Sequence, residues 1–211
     1  MSLDLYALTI RHGAAALFAP LSLSVAPGTV TTIMGPSGIG KSTLLDAIGG
    51  HLAHGFRAEG QVTLNGRAVL HLPAEARHIG LMFQDALLFP HLSVGDNLAF
   101  GLSRAVTGRV ARRDRVEQAL AQAGLAGMAQ RDPATLSGGQ RARAALMRTL
   151  LAEPEALLLD EPFAKLDAGL REEIRAFTLS HVRARGIPAL MVTHDPADAA
   201  AMGGPVVALG G

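Results

Sequence analysis

"GPSGIGKST", residues Gly35 to Thr43, follows the apolar run "TVTTIM" and leads into "KSTLLDAIGG", which has a helical pattern. The stretch fits G-x-x-x-x-G-K-[ST], with the preceding strand and following helix that such a loop needs. Gly35, Gly38 and Gly40 let the backbone turn inward so that successive N–H groups face phosphates, with Pro36, Ser37 and Ile39 completing the loop. Lys41 is placed to reach the β- and γ-phosphates and the Ser42 hydroxyl to ligate magnesium, with Thr43 ending the binding stretch. A chain built this way is expected to bind a nucleoside triphosphate with Mg2+.

Working outward, short Val/Ile/Leu-rich runs alternate with longer helical patterns: "TVTTIM", "HIGLMF", "EALLLD" and "ALMVTH". Continuous rather than alternating apolar runs mark strands buried on both faces, and the helices between them supply the crossovers of a parallel sheet. Nearer the N-terminus, "LDLYALTI", "LSLSVAPG" and "QVTLNGRAV" read as half-buried antiparallel strands, with Asn65-Gly66 marking a hairpin. From about 93 to 136 the strand signals stop, and "RVARRDRVEQALAQAGL" reads as an amphipathic helix with a solvated basic face. The expectation is one α/β domain over 1–211: a nucleotide-binding core with a parallel sheet, an N-terminal antiparallel portion and an inserted helical subdomain.

The 211 residues suffice for one well-buried core. A net charge of +1 provides no electrostatic footprint for nucleic acid, so none is expected as a partner. The absence of cysteine excludes disulfides, thiol catalysis and Cys-ligated zinc. The start "MSLDLYALTI" lacks the basic and apolar regions of a secretory signal, and no apolar run approaches the roughly 18 residues of a membrane span. A cytosolic protein is the expectation. Yet hydrophobic residues make up 49% with only 4% aromatics, and mean hydropathy is +0.28. A sheet covered on both faces accounts for most of that, and a partner surface for the rest.

Two further stretches bear on chemistry. "ALLLDEP", Ala156 to Pro162, describes a buried strand delivering Asp160 at its C-terminal edge, where a carboxylate can hold magnesium. Glu161 follows and could take a proton from an attacking water. "TLSGGQ", Thr135 to Gln140, opens another helix with two glycines and a serine, a neutral anion cradle without lysine or carboxylate of its own. Such a cradle suits completion of a site already supplied with both. Guanine recognition is disfavoured, since neither Asn65 nor Asn97 is followed by lysine.

Taken together, "GPSGIGKST", "MFQD", "LSGGQRAR", "LLLDEPFAKLD" and "VTHD" make the chain resemble an ATP-binding cassette (ABC) ATPase from about Leu3 to Leu209. "DALLFPHLSVGDNLAFGL" is similar to the compact ATPase subunits of bacterial binding-protein-dependent importers. The resemblance implies that two copies close head to tail over two ATPs. Ser137, Gly138, Gly139 and Gln140 of one copy would then meet the nucleotide of the other, with Asp167 of "FAKLD" communicating between the sites. It further implies that Gln84 touches magnesium and the lytic water, and that His194 contacts the γ-phosphate. His12 falls where the family places an adenine-stacking aromatic, usually Tyr, Phe or Trp, and Ala164 stands where Ser is frequent.

The implied partners are a second cassette, a membrane permease docking near Gln84 to Leu92, and an extracytoplasmic solute-binding protein, with the chain peripheral on the cytoplasmic face of the cell membrane. Leu87, Leu88, Phe89 and Leu92 are expected to form an apolar docking loop interrupted by Pro90. The C-terminal regulatory domain of many sugar importers is expected to be absent. A soluble ABC ATPase acting on nucleic acid or ribosomes is the alternative, and a kinase sharing the phosphate loop would leave LSGGQ unexplained.

Overall fold

The computed structural model describes residues 1–210. The chain opens with strands β1 (Leu3–His12), β2 (Ala15–Ala16), β3 (Leu21–Val25) and β4 (Val30–Met34), followed by helix α1 (Lys41–Gly49). Strands β5 (Phe56–Leu64) and β6 (Arg67–Ala68), helix α2 (Ala74–Arg77) and strand β7 (Ile79–Met82) come next. Between β7 and strand β8 (Ala156–Asp160) the regular elements are all helical: α3 (Val94–Phe100), α4 (Arg109–Gln122), a 3-10 turn at Pro133–Thr135, and α5 (Gly138–Leu151). Helix α6 (Ala168–Arg185), strand β9 (Ala189–Thr193), helix α7 (Pro196–Met202) and strand β10 (Val206–Ala208) finish it.

Strands β10, β4, β9, β8 and β7 form a parallel sheet in that order. Its apolar runs serve two cores. Leu157 and Leu159 of β8 pack with Leu146, Leu150 and Phe163 on the helical side. Their neighbours Ala156 and Leu158 pack with Leu5, Leu8 and Val62 on the other. This period-two division requires every position of β8 to be apolar until Asp160 emerges at the carboxyl edge.

The second face is covered by an antiparallel sheet centred on β1, which pairs with β2, β3 and β5. The β5–β6 hairpin closes through Asn65 and Gly66 at φ 53° and 78°, the two positive values a type I′ turn needs. In α4 only Val116, Ala119 and Leu120 are buried, and its basic residues are mostly exposed.

The segment Gln84 to Leu92 departs from the expected free apolar loop. Leu87 is 57% exposed, but Leu88 packs against the helical-side core. Phe89 is half-buried between Phe100, with ring centroids 4.8 Å apart, and the Arg148 guanidinium, 5.0 Å from its ring centre. The cause is Asn97, which is fully buried. Its side-chain oxygen accepts the Phe89 N–H at 2.7 Å, and its amide donates to the carbonyls of Phe89, Leu92 and Ser93 at 3.1, 3.2 and 3.0 Å. One amide thus satisfies loop groups that would otherwise be stranded, folding Phe89 and Leu92 inward.

Candidate nucleotide site

The loop after β4 turns through Gly38 and Gly40 at φ 83° and 102°, a region closed to most side chains. Gly40 caps α1 without any side-chain bond, leaving the helix's first N–H groups without a side-chain acceptor and directed toward an anion. Lys41 is buried, and its ammonium donates to the carbonyls of Gly35 and Pro36 at 2.8 and 3.0 Å, so the charge is held inside the loop. Ser37, Gly38, Gly40, Lys41, Ser42, Thr43 and Glu161 line a cleft of about 220 Å³. Two larger concavities of about 600 Å³, between α3 and α4 and beside His54 to Arg57, lie away from this loop and lack its phosphate-binding backbone.

The parallel strands bring the carboxylates to the same cleft. The Ser42 hydroxyl donates to Asp160 Oδ1 at 3.0 Å. Burial pushes the Asp160 carboxyl above its ordinary range, against the Ser42 hydrogen bond and with Glu161 and Asp46 adding to the rise. A divalent cation at this pair would offset that cost. Among the described residues no cluster of three or more His, Cys, Asp or Glu could hold a metal alone. One hydroxyl and one carboxylate therefore fit a magnesium ion that takes its remaining ligands from phosphate and water.

Asp160 ties stability to pH through this burial. Its charged form is costly in the fold, so that cost is present above the folded pKa and disappears as pH falls through it. Asp160→Asn keeps an acceptor for Ser42 without the charge. It is expected to melt at a higher temperature than the parent at neutral pH, with the gap narrowing on acidification, while ATP turnover falls. A lower melting temperature at neutral pH would contradict this assignment of the strain.

Glu161 sits at φ 42°, an unusual value for a non-glycine residue. Its N–H donates to the Val192 carbonyl of β9 at 3.0 Å, and its Oε1 meets His194 Nδ1 at 3.0 Å. The turn after β8 thus points one carboxylate into the cleft and fixes it to the imidazole at the end of the neighbouring strand.

The other expected residues lie apart from this cleft. Gln84 and Gly138 line a separate cavity of about 130 Å³ with Arg141, Pro162 and Lys165, and Lys165 pairs with Asp85 at 2.5 Å across it. Ser137 caps α5: its Oγ accepts the Gln140 N–H at 3.3 Å while Gln140 Oε1 accepts the Ser137 N–H at 2.9 Å. The signature cradle is therefore partly self-satisfied by a capping box, unlike the start of α1. Asp167 caps α6 by accepting the Leu170 N–H at 3.0 Å. His12 lies against Phe56, ring centroids 4.7 Å apart and tilted by 34°. Sequence reading missed Asn97 as the organiser of the 89–93 loop and Phe56 as the partner of His12. The β1–β5 register, which pairs His12 with Phe56, is what joins the latter two.

A family model described as "ABC transporter" matches residues 18–164. The chain is 48% identical over 198 residues to the uncharacterized ABC transporter ATP-binding protein YnjD of Escherichia coli (strain K12), covering 92% of this chain and 91% of that one. It is 42% identical over 199 residues to the Fe(3+) ions import ATP-binding protein FbpC 1 of Rhizobium meliloti (strain 1021), covering 94% of this chain and 56% of the relative. For the FbpC protein of Streptomyces avermitilis the values are 43% over 209 residues, 99% and 60%. The chain thus spans a little over half the length of these iron-import relatives.

Proposed function

This chain belongs to the ABC transporter family of ATP-binding proteins, and from that premise we propose that it hydrolyses ATP to drive solute import through a separate membrane permease. The observation that carries the reading is the convergence of Lys41, the Ser42–Asp160 pair and the Glu161–His194 pair at the carboxyl edge of one parallel sheet.

In this proposal the uncapped start of α1 and Lys41 bind the β- and γ-phosphates, and Thr43 extends that contact. Ser42 and Asp160 would hold magnesium, which when bound neutralises charge on the phosphate oxygens. Glu161 accepts the proton of the water whose oxygen attacks the γ-phosphorus, as the bond to the ADP oxygen breaks. His194 holds Glu161 in place and faces the transferred phosphoryl group. His12, backed by Phe56, supports the adenine. Gln84, which lies outside the cleft within one chain, is assigned to sensing the permease and to reaching the nucleotide only in the closed dimer.

We place Ser137 to Gln140 and Asp167 against the nucleotide of a second copy, because within one chain they do not line the cleft. The helical elements of 93–136 form a subdomain that leads into Ser137 to Gln140 at the start of α5, while Asp167 caps α6. The permease is assigned to the face bearing Leu87 and Phe100, 57% and 69% exposed, with Phe89 packed beside Phe100. No helix among the described residues is long and apolar enough to cross a membrane, and in this proposal the membrane path belongs to the permease. Import is supported by relatives named for Fe(3+) import, and an extracytoplasmic binding protein is the further partner of this proposal.

Isolation of the native complex tests this reading. A polytopic membrane protein is expected to accompany the chain, and phosphate release from ATP by the complex is expected to require magnesium. Recovery with ribosomes or nucleic acid and no membrane protein would overturn it.

A further inference from the structure

His194 lies inside a closed circuit of polar contacts, and its own side chain is the part left free to meet Glu161. Immediately before it, the Thr193 hydroxyl donates to Asp198 Oδ2 at 3.2 Å and accepts the Asp195 N–H at 3.1 Å. Immediately after it, Asp195 caps α7 through the Ala197 N–H at 2.8 Å and uses its second oxygen to accept Arg171 Nη1 at 2.6 Å. Asp198 is 2% exposed, and its Oδ1 accepts Arg175 Nε at 2.7 Å together with Nη2 of the same guanidinium. Arg171 and Arg175 are four residues apart on α6 and so occupy one face of it. Asp195 and Asp198 are the matching pair at the start of α7. The Ala197 N–H, ahead of Arg171 and Arg175, holds the Asp195 carboxyl below its ordinary range.

We propose that Arg171 and Arg175 are positioning residues that fix His194 against Glu161 from helix α6. The inference rests on the reading of Glu161 and His194 as parts of the ATP site. Neither arginine lines the cleft, so each acts through the residues flanking His194. The same helix is joined to the start of α5. A Cβ at Gly139 would overlap the Leu170 side chain, and Arg143 pairs with Glu173 at 3.1 Å. Helix α6 therefore connects the signature segment of a chain to His194 of that same chain. In a head-to-tail dimer, engagement of the signature segment with the partner's nucleotide is transmitted through α6 to the local catalytic pair, which couples the two sites.

The test uses the full chain with Arg171→Met, Arg171→Lys, Arg175→Met and Arg175→Lys. For the Met variants ATP turnover is expected to fall by about tenfold or more, with KM for ATP within about twofold of the parent, because positioning and not binding is lost. Arg171 is joined to Asp195 by a single nitrogen, so Arg171→Lys should recover most of the turnover. Arg175 uses two nitrogens on Asp198, so Arg175→Lys should recover little.

Arg175→Met leaves the Asp198 carboxylate buried without a cation and could unfold the chain. The double variant Arg175→Met/Asp198→Asn removes that charge, keeps an acceptor for Thr193, and should still lose turnover. A second readout is independent of hydrolysis: the ring-proton NMR resonance of His194, assigned by its loss in His194→Gln, should shift in both Met variants. Parental turnover in a folded Met or double variant, or an unmoved His194 resonance, would overturn the clamp. A shifted resonance in a chain that shows no ATPase activity even in its parental form would support the clamp and refute the reading of the site.

Discussion

Glu161→Gln is expected to lower ATP turnover by about 10²–10⁴-fold, the usual range for loss of a general base, while leaving nucleotide affinity close to that of the parent. The substitution preserves shape at a position where shape is demanding. The Glu161 backbone is held at φ 42° by its N–H bond to Val192, and the side chain is held by His194 Nδ1 at 3.0 Å. A glutamine amide can maintain one hydrogen bond to the imidazole but cannot take a proton from water. The variant should accumulate with ATP bound, which single-turnover phosphate release and nucleotide retention would measure together. Turnover at the parental rate would remove Glu161 from the role of base.

Lys41→Ala should fail one step earlier. The ammonium is buried within the loop it would share with phosphate, and it holds the carbonyls of Gly35 and Pro36 at 2.8 and 3.0 Å. Hydrogen bonds involving a charged group contribute about 1.5–3 kcal/mol each, so losing one of them lowers ATP affinity by about 10- to 10²-fold and losing two by about 10²-fold or more. The same change releases the two carbonyls and loosens the loop, which reinforces the loss. Equilibrium binding of a fluorescent ATP analogue would show it. Undiminished affinity would mean that the cleft of Ser37 to Thr43 is not the phosphate site.

Much of this arrangement was legible in the sequence because burial on both faces leaves a distinctive mark. The continuous runs of β8 and β9 are short enough to fit strands with a core on each side, and on that reading the first charged residue after "ALLL" lies at the sheet's edge. Asn65-Gly66 was equally direct, since few other pairs accept two positive φ values in succession. Strand β10 was missed: at three residues, behind Gly203, Gly204 and Pro205, it shows no periodicity, and its existence depends on pairing with β4.

The character of the 84–92 segment was not legible for a different reason. Leu88, Phe89 and Leu92 look like an exposed apolar loop until Asn97 is seen binding the backbone around them, and a single asparagine in a helix carries no signal of such a role. Ser137 and Gln140 have the spacing of an anion cradle and equally that of a capping box, and the folded chain forms the box. The arginines of α6 and aspartates of α7 carry no sequence signal of this role, because i,i+4 arginines on an amphipathic helix usually face solvent. Only the packing of α6 on α7 brings them to the residues flanking His194.

In the proposed dimer the ATP site is complete only when Ser137 to Gly139 of one copy close over the Lys41 loop of another. Co-expression of a Lys41→Ala chain and a Ser137→Arg chain under two different tags, followed by purification over both, measures it most directly. Ser137→Arg also removes a helix cap worth about 1 kcal/mol, so its melting temperature should be recorded alongside. Each variant alone is predicted to be inactive, and the doubly purified heterodimer to regain a substantial part of the parental ATPase rate through its one intact composite site. Full activity of the Ser137→Arg chain by itself, or a heterodimer as inactive as its parts, would contradict the account.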